Sequence, residues 1–133
     1  MAVEPKVTPR EWSPELLERF APIAARNPWG ALETHGEQLH GAYVFQLDAG
    51  AQSALAAVRP VLCTHGVRAE VVGMVSEAPL FQFAAIDRGL MRVATMLNAD
   101  VLAMSTQLPG LVRGAQRVGW VTTGAIVTKK LGH

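Results

Sequence analysis

Cys63 and His65 stand two residues apart and are the residue types of a thiolate nucleophile and its base. On a strand that spacing faces both side chains the same way. No acid to orient the imidazole and no oxyanion motif accompany them, so two readings stand: a reactive pair, or an idle cysteine beside a turn. His35 and His40 lie five apart, which misses the one-face spacing of a helical metal pair, and no cysteine cluster joins them; no metal is expected. Tyr43, the only tyrosine, sits in an alternating apolar stretch and reads as a packing residue with a wet hydroxyl. Lys129 and Lys130, the adjacent cations, read as a solvated strand terminus.

Positioning any of these groups needs a core, and 133 residues with 50% hydrophobic and 17% charged residues make one folded domain, expected over 1–133. That apolar excess in so small a chain is most simply covered at a subunit interface, so a homodimer is expected. A net charge of +1 without a stripe of Lys and Arg gives no electrostatic reason for nucleic acid. Residues 1–10 carry Glu4 and Lys6 where a signal peptide would be apolar, and no run approaches the roughly 20 apolar residues of a spanning helix. One cysteine allows no internal disulfide, which suits a reducing compartment. The expectation is a cytoplasmic protein without a membrane segment.

The elements follow from period and punctuation. Pro5 and Pro9 limit residues 1–10 to a short edge strand. Ser13 reads as an N-cap with Pro14 first in the helix, and Leu16, Leu17, Phe20, Ile23 and Ala24 carry that helix to about Arg26. A second, shorter helix or helical turn falls between Trp29 and His40. Strands are expected over Ala42 to Asp48, Ser53 to Leu62 and Arg68 to Ser76, joined by turns at Gly50 and at Thr64 to Gly66, as an antiparallel meander. Pro79 opens the longest helix, which runs to about Leu97 with Asn98 as its cap. A strand over Asp100 to Ser105 follows, parallel to its neighbour because a helix crosses between them.

The last third is the most legible. After that strand, Leu108, Leu111, Val112, Ala115 and Val118 make one face of a helix, Gly119 closes it in the left-handed conformation, and Trp120 begins a returning strand, WVTTGAIVTKK. This pattern, carried by Leu111, Arg113, Ala115, Arg117, Gly119 and Trp120, resembles the C-terminal part of the GNAT (acyl-CoA N-acyltransferase) superfamily. The element order resembles that fold over almost the whole chain, in a compact form with one strand after the last helix where the family often has two. Asn27 to Gly30 and Arg117 to Trp120 also resemble small GNAT-like proteins of bacterial and phage genomes. The fold class implied is α/β (α+β): a mixed sheet with N-terminal helices, a three-stranded antiparallel meander, then helix, strand, helix, strand.

The resemblance implies a site. In the family, acyl-CoA lies where the central strand parts from the next, with its pyrophosphate on backbone N–H groups at the start of the long helix. The matching positions are Met74, Val75 and Ser76 on the strand, with the amide of Met74 or Val75 stabilising the oxyanion. Of the family's Q/R-x-x-G-x-G/A signature, the nearest match is Gln82, Ala85 and Asp87, which sets an anion where a small residue belongs. Residues 76–79 also hold no glycine, and Pro79 lacks an N–H. In a second register the helix starts at Pro79, the amides of Leu80, Phe81 and Gln82 meet the phosphates, and Arg88 or Arg92 stands nearby. The family's catalytic base is often a Glu on the central strand, here Glu70; beside Arg68 it also reads as a paired charge. The tyrosine that protonates the leaving thiolate in many members is replaced by Ala115. Ser105 and Thr106 fall where acceptor or pantetheine would be hydrogen-bonded, or where Thr106 caps the last helix.

Two functions are therefore expected, from different classes. One is an N-acetyltransferase using acetyl-CoA, with direct transfer to a small-molecule or peptide amine. The alternative is a catalytically degenerate GNAT-like domain that works as a binding or assembly protein.

Overall fold

The computed structural model describes residues 4–76, 83–106 and 109–132. Its frame is a five-stranded mixed sheet in the order β1-β2-β3-β4-β5. Strand β1 (Lys6–Arg10) is the edge that Pro9 allows, and it pairs antiparallel with β2 (Tyr43–Ala49). A turn at Gly50 (φ 62°) sends the chain into β3 (Gln52–Cys63), and a second turn before Gly66 sends it into β4 (Gly66–Ser76). β5 (Val101–Met104) lies parallel to β4, so the expected crossover is present.

Alternation along the strands divides the core in two. Val44, Leu55 and Ala57 meet Leu16, Phe20, Ile23 and Leu39 on one face of the sheet. Phe45, Leu47, Ala56, Val58 and Ala69 meet Ile86, Leu90 and Val93 on the other. Residues 54–58 of β3 are consequently buried without a break, as a strand covered on both faces must be.

The N-terminal helix is shorter than its apolar stripe suggests. α1 (Pro14–Arg19) is capped by Ser13, whose Oγ accepts from the Leu16 amide at 3.1 Å, but the chain then tightens into a 3-10 helix over Ala21–Ala25. Pro22 is the reason: it has no N–H for an α-helical bond and its ring crowds the carbonyl four residues back. α2 (His35–Gln38) is one turn held by a capping box, in which Thr34 and Glu37 each satisfy the other's amide.

On the opposite face, α3 (Phe83–Met96) ends with Asn98 in the left-handed conformation (φ 53°), and the Ala99 amide closes on the Ala94 carbonyl at 2.8 Å. The expected start of this helix at Pro79 falls outside the described residues. α4 (Pro109–Arg117) ends the same way: Gly119 takes φ 95° and the Trp120 amide returns to the Ala115 carbonyl at 3.1 Å.

One expectation fails. Residues 120–132 form no strand, and Val121, Ile126, Val127 and Leu131 are exposed. Their pattern suits a strand, but a strand persists only where a neighbour shares its ladder, and none among the described residues does. Among the described residues no helix is long and apolar enough to cross a membrane.

Candidate functional site

The parallel ladder between β4 and β5 is short. It pairs Arg68 with Val101 and ends at Val71 with Met104, although β4 runs on to Ser76. Residues 72–76 therefore bond to β3 on one side only, and alternate residues aim their N–H and C=O groups into the opening on the other. A bulge sits at the divergence: Ala57 pairs with Gly73 and Val58 with Val71, leaving Val72 as the extra residue. Val72 and Gly73 thus both turn toward the α1 side of the sheet, where Gly73 leaves no room for a larger residue. A Cβ there would lie 3.0 Å from Ile23, 3.1 Å from Leu39 and 3.2 Å from Phe20.

Two clefts of about 400 Å³ each meet at this opening. The first runs from the loop at Arg26 to Trp29 across Glu70, Val71 and Val72 to Met104 and Ser105. The second lies between Met104 to Thr106, the Ala115 face of α4 and residues 121–126. Ser105 lines both.

Glu70 lines the first cleft together with Glu33 and Glu37. Its Oε1 accepts from Arg68 Nη2 at 3.1 Å, and its Oε2 lies 3.7 Å from Arg59 Nη2, an ion pair too long for a hydrogen bond. Arg59 faces Glu70 across the β3–β4 ladder and also donates to the His40 carbonyl at 3.1 Å. Glu70 is therefore a paired charge that also lines a cleft. The pair is cheap to exchange, because the Glu70 side chain is 30% and that of Arg68 46% exposed, and such pairs contribute about 0–1 kcal/mol.

The other wall is aromatic and polar. Trp29, 47% exposed, donates its indole N–H to Glu33 at 2.6 Å. Gln38 contributes a buried Nε2 with no hydrogen-bond partner. Nothing in the sequence singled out Trp29, Glu33, Gln38 and Arg59 as neighbours. The one usable signal was the β3–β4 turn, which sets the cross-strand partner of Glu70.

The remaining expected residues are distributed as follows. Met74 packs toward α3 and Val75 toward α1, so only their backbone is common to the opening; Ser76 is exposed at its end. Leu80, Phe81 and Gln82 lie outside the described residues. Arg88 is half-buried on α3 and lines neither cleft, and Arg92 donates to the Pro5 carbonyl at 2.6 Å. Asp87 accepts the Trp120 indole N–H at 2.7 Å, with Trp120 edge-on to Phe83 at 6.0 Å, so this anion serves to hold α4 on α3. Ala115 is buried in the wall of the second cleft, leaving no hydroxyl at that position. Cys63 and Tyr43 are exposed and line neither cleft, and Tyr43 is 58% exposed where a packing residue was expected. No group of three or more His, Cys, Asp and Glu gathers as a metal set among the described residues.

The mixed α+β fold with its five-stranded mixed sheet is similar to that of solved structures, an acetyltransferase among them. An acetyltransferase of Trypanosoma brucei superposes with a TM-score of 0.53 at 10% identity, over 96% of this chain and 100% of that one. The protein TTHA1254 of Thermus thermophilus superposes with a TM-score of 0.54 at 15% identity, over 93% and 96%. A point mutant of the same Thermus protein gives 0.56 at 12%, over 95% and 98%. No family model and no curated protein sequence matches the chain.

Proposed function

We propose that this chain is an acyl-CoA-dependent N-acetyltransferase of the GNAT type, acting on an amine held in the Glu70 cleft. The observation that carries the reading is the early end of the β4–β5 ladder at Val71 and Met104, with five more residues of β4 beyond it. An open strand edge takes an extended, amide-bearing arm as it would take another strand, so residues 72–76, including Met74, Val75 and Ser76, fit the pantetheine of acetyl-CoA. When bound, acetyl-CoA supplies the acetyl group as a thioester. The amides of Leu80, Phe81 and Gln82, with Arg88, are the remaining positions proposed for it.

The chain's own groups divide the work. Glu70 Oε2, which no hydrogen bond holds, accepts the proton of an acceptor ammonium directly or through water. Met74 lies four residues along β4, roughly 13 Å at a strand's rise, whereas Val72 at the bulge is about 7 Å away. A backbone N–H near the bulge is therefore the better placed to stabilise the developing oxyanion beside an amine that Glu70 can reach. Trp29, Glu33 and the unpartnered Gln38 amide orient the acceptor.

The test begins with thermal unfolding in millimolar acetyl-CoA. A ligand at about 100 times its Kd adds about 2.7 kcal/mol, so the midpoint rises by several degrees. An unchanged midpoint overturns the reading. Glu70→Gln keeps that shift and lowers thiol release across an amine panel by roughly 10²–10⁴-fold. The second reading, a degenerate domain acting through its surface, draws on the Arg68–Glu70 pair and on Ala115 at the tyrosine position; it requires no shift at all.

A further inference from the structure

We infer that the acyl group this chain transfers is apolar and longer than acetyl, with its chain seated in the second cleft, between the end of β5 and α4. The inference rests on the proposed use of acyl-CoA and names the class of donor.

The second cleft is a cavity that the proposed chemistry leaves without an occupant, and strand parity sets it apart from the first. Ala69 and Val71 pack on the α3 face of the sheet, so Glu70 between them points to the α1 face. Ala103, the partner of Glu70, shares the α1 face, and Met104, the partner of Val71, shares the α3 face. α4 is held on that α3 face by the Trp120–Asp87 bond. The two clefts therefore open on opposite faces of the sheet. They communicate where the β4–β5 ladder has ended, and Pro28, Met104, Ser105 and Ile126 line both.

Residues 72–76 lead a thioester to that junction. The amine attacks from the Glu70 side: the nitrogen–carbon bond forms and the carbon–sulfur bond breaks. Of the two protons that the ammonium sheds, one ends on the released thiol and the other passes to solvent through Glu70. The acyl chain is left to be placed, and it cannot share the first cleft with the acceptor. That cleft is also charged, with Glu33, Glu37 and Glu70 facing three arginines. An acetyl group needs no cavity beyond the junction. The second cleft offers about 400 Å³, the size of a small-ligand pocket and far more than a methyl group fills.

The wall of the second cleft suits an uncharged chain. Met104, Val112, Ala115, Val121 and Ile126 line it, and among the described residues no charged side chain does. Gln116 Nε2 and Thr122 Oγ1, two of its polar groups, are bonded to each other at 3.3 Å. Ala115 is the smallest side chain that α4 presents there, and it keeps the space open. A buried carboxylate would find no cation in this wall, so a chain ending in one is disfavoured.

Titration calorimetry of the full chain with acetyl-, butanoyl- and succinyl-CoA separates the outcomes. Each buried methylene is expected to tighten binding about fourfold, so butanoyl-CoA binds at least roughly tenfold more tightly than acetyl-CoA. Succinyl-CoA, which ends a chain of that length in a carboxylate, is expected to bind no better than acetyl-CoA. Acetyl-CoA binding with no gain for butanoyl-CoA overturns the inference and leaves the transferase reading standing; no binding by any of the three overturns both. Succinyl-CoA binding as tightly as butanoyl-CoA overturns the apolar assignment. Ala115→Leu fills the cleft from a buried position and Val112→Trp from a half-buried one. Each is expected to bring the butanoyl-to-acetyl ratio of Kd close to one, and a folded variant that keeps the full butanoyl preference overturns the placement.

Discussion

Trp120→Phe isolates the bond on which the placement of α4 depends. The indole N–H reaches Asp87 Oδ1 at 2.7 Å while the ring meets Phe83 edge-on at 6.0 Å; phenylalanine keeps an aromatic ring and removes the donor. A hydrogen bond to a charged group contributes about 1.5–3 kcal/mol, and because both partners are only half-buried the lower end applies, about 1.5–2 kcal/mol. With an unfolding entropy of about 2.1 cal/mol/K per residue, that loss lowers the midpoint of a chain this long by roughly 5–7 °C. Calorimetry on Trp120→Phe, Asp87→Ala and the double variant closes a cycle. The expected coupling exceeds about 1 kcal/mol, so that removing the indole N–H costs little once the carboxylate is gone. A single variant that melts with the unaltered protein, or a pair whose effects simply add, would refute the argument that this bond clamps α4 to α3.

Gly73→Ala is expected to destabilise by about 1–3 kcal/mol in urea unfolding, since its Cβ would press on Ile23, Leu39 and Phe20 at 3.0–3.2 Å; an unchanged midpoint would show that the bulge has slack. Cys63, exposed at the end of β3, is expected to react with a thiol reagent at one equivalent per chain in native buffer, and protection until denaturant is added would contradict its placement.

Much of the architecture was legible because it rests on short-range rules. Ser13 as a cap, Asn98 and Gly119 as left-handed stops, Pro9 on an edge strand and the stripe of α3 all follow from contacts within a few residues. Pro22 was equally local but competes with an apolar stripe that runs straight through it, and there the missing N–H wins. The site was harder to read. Glu70 could be named, but its partner Arg59 depends on the β3–β4 register, and a turn placed one residue away moves the pairing by a residue and turns each side chain to the other face.

The sequence by itself determined most of the helices and strands as far as Gly119, where most of them stop, and that a helix crosses between two parallel strands. Only the tertiary structure decided that the β4–β5 ladder ends at Val71 and Met104, that a bulge at Val72 turns the strand there, and that WVTTGAIVTKK finds no partner strand among the described residues of its own chain. The difference is physical. A helix closes its hydrogen bonds with residues four apart, so its limits are encoded locally; a strand's bonds belong to whichever distant segment packing brings beside it.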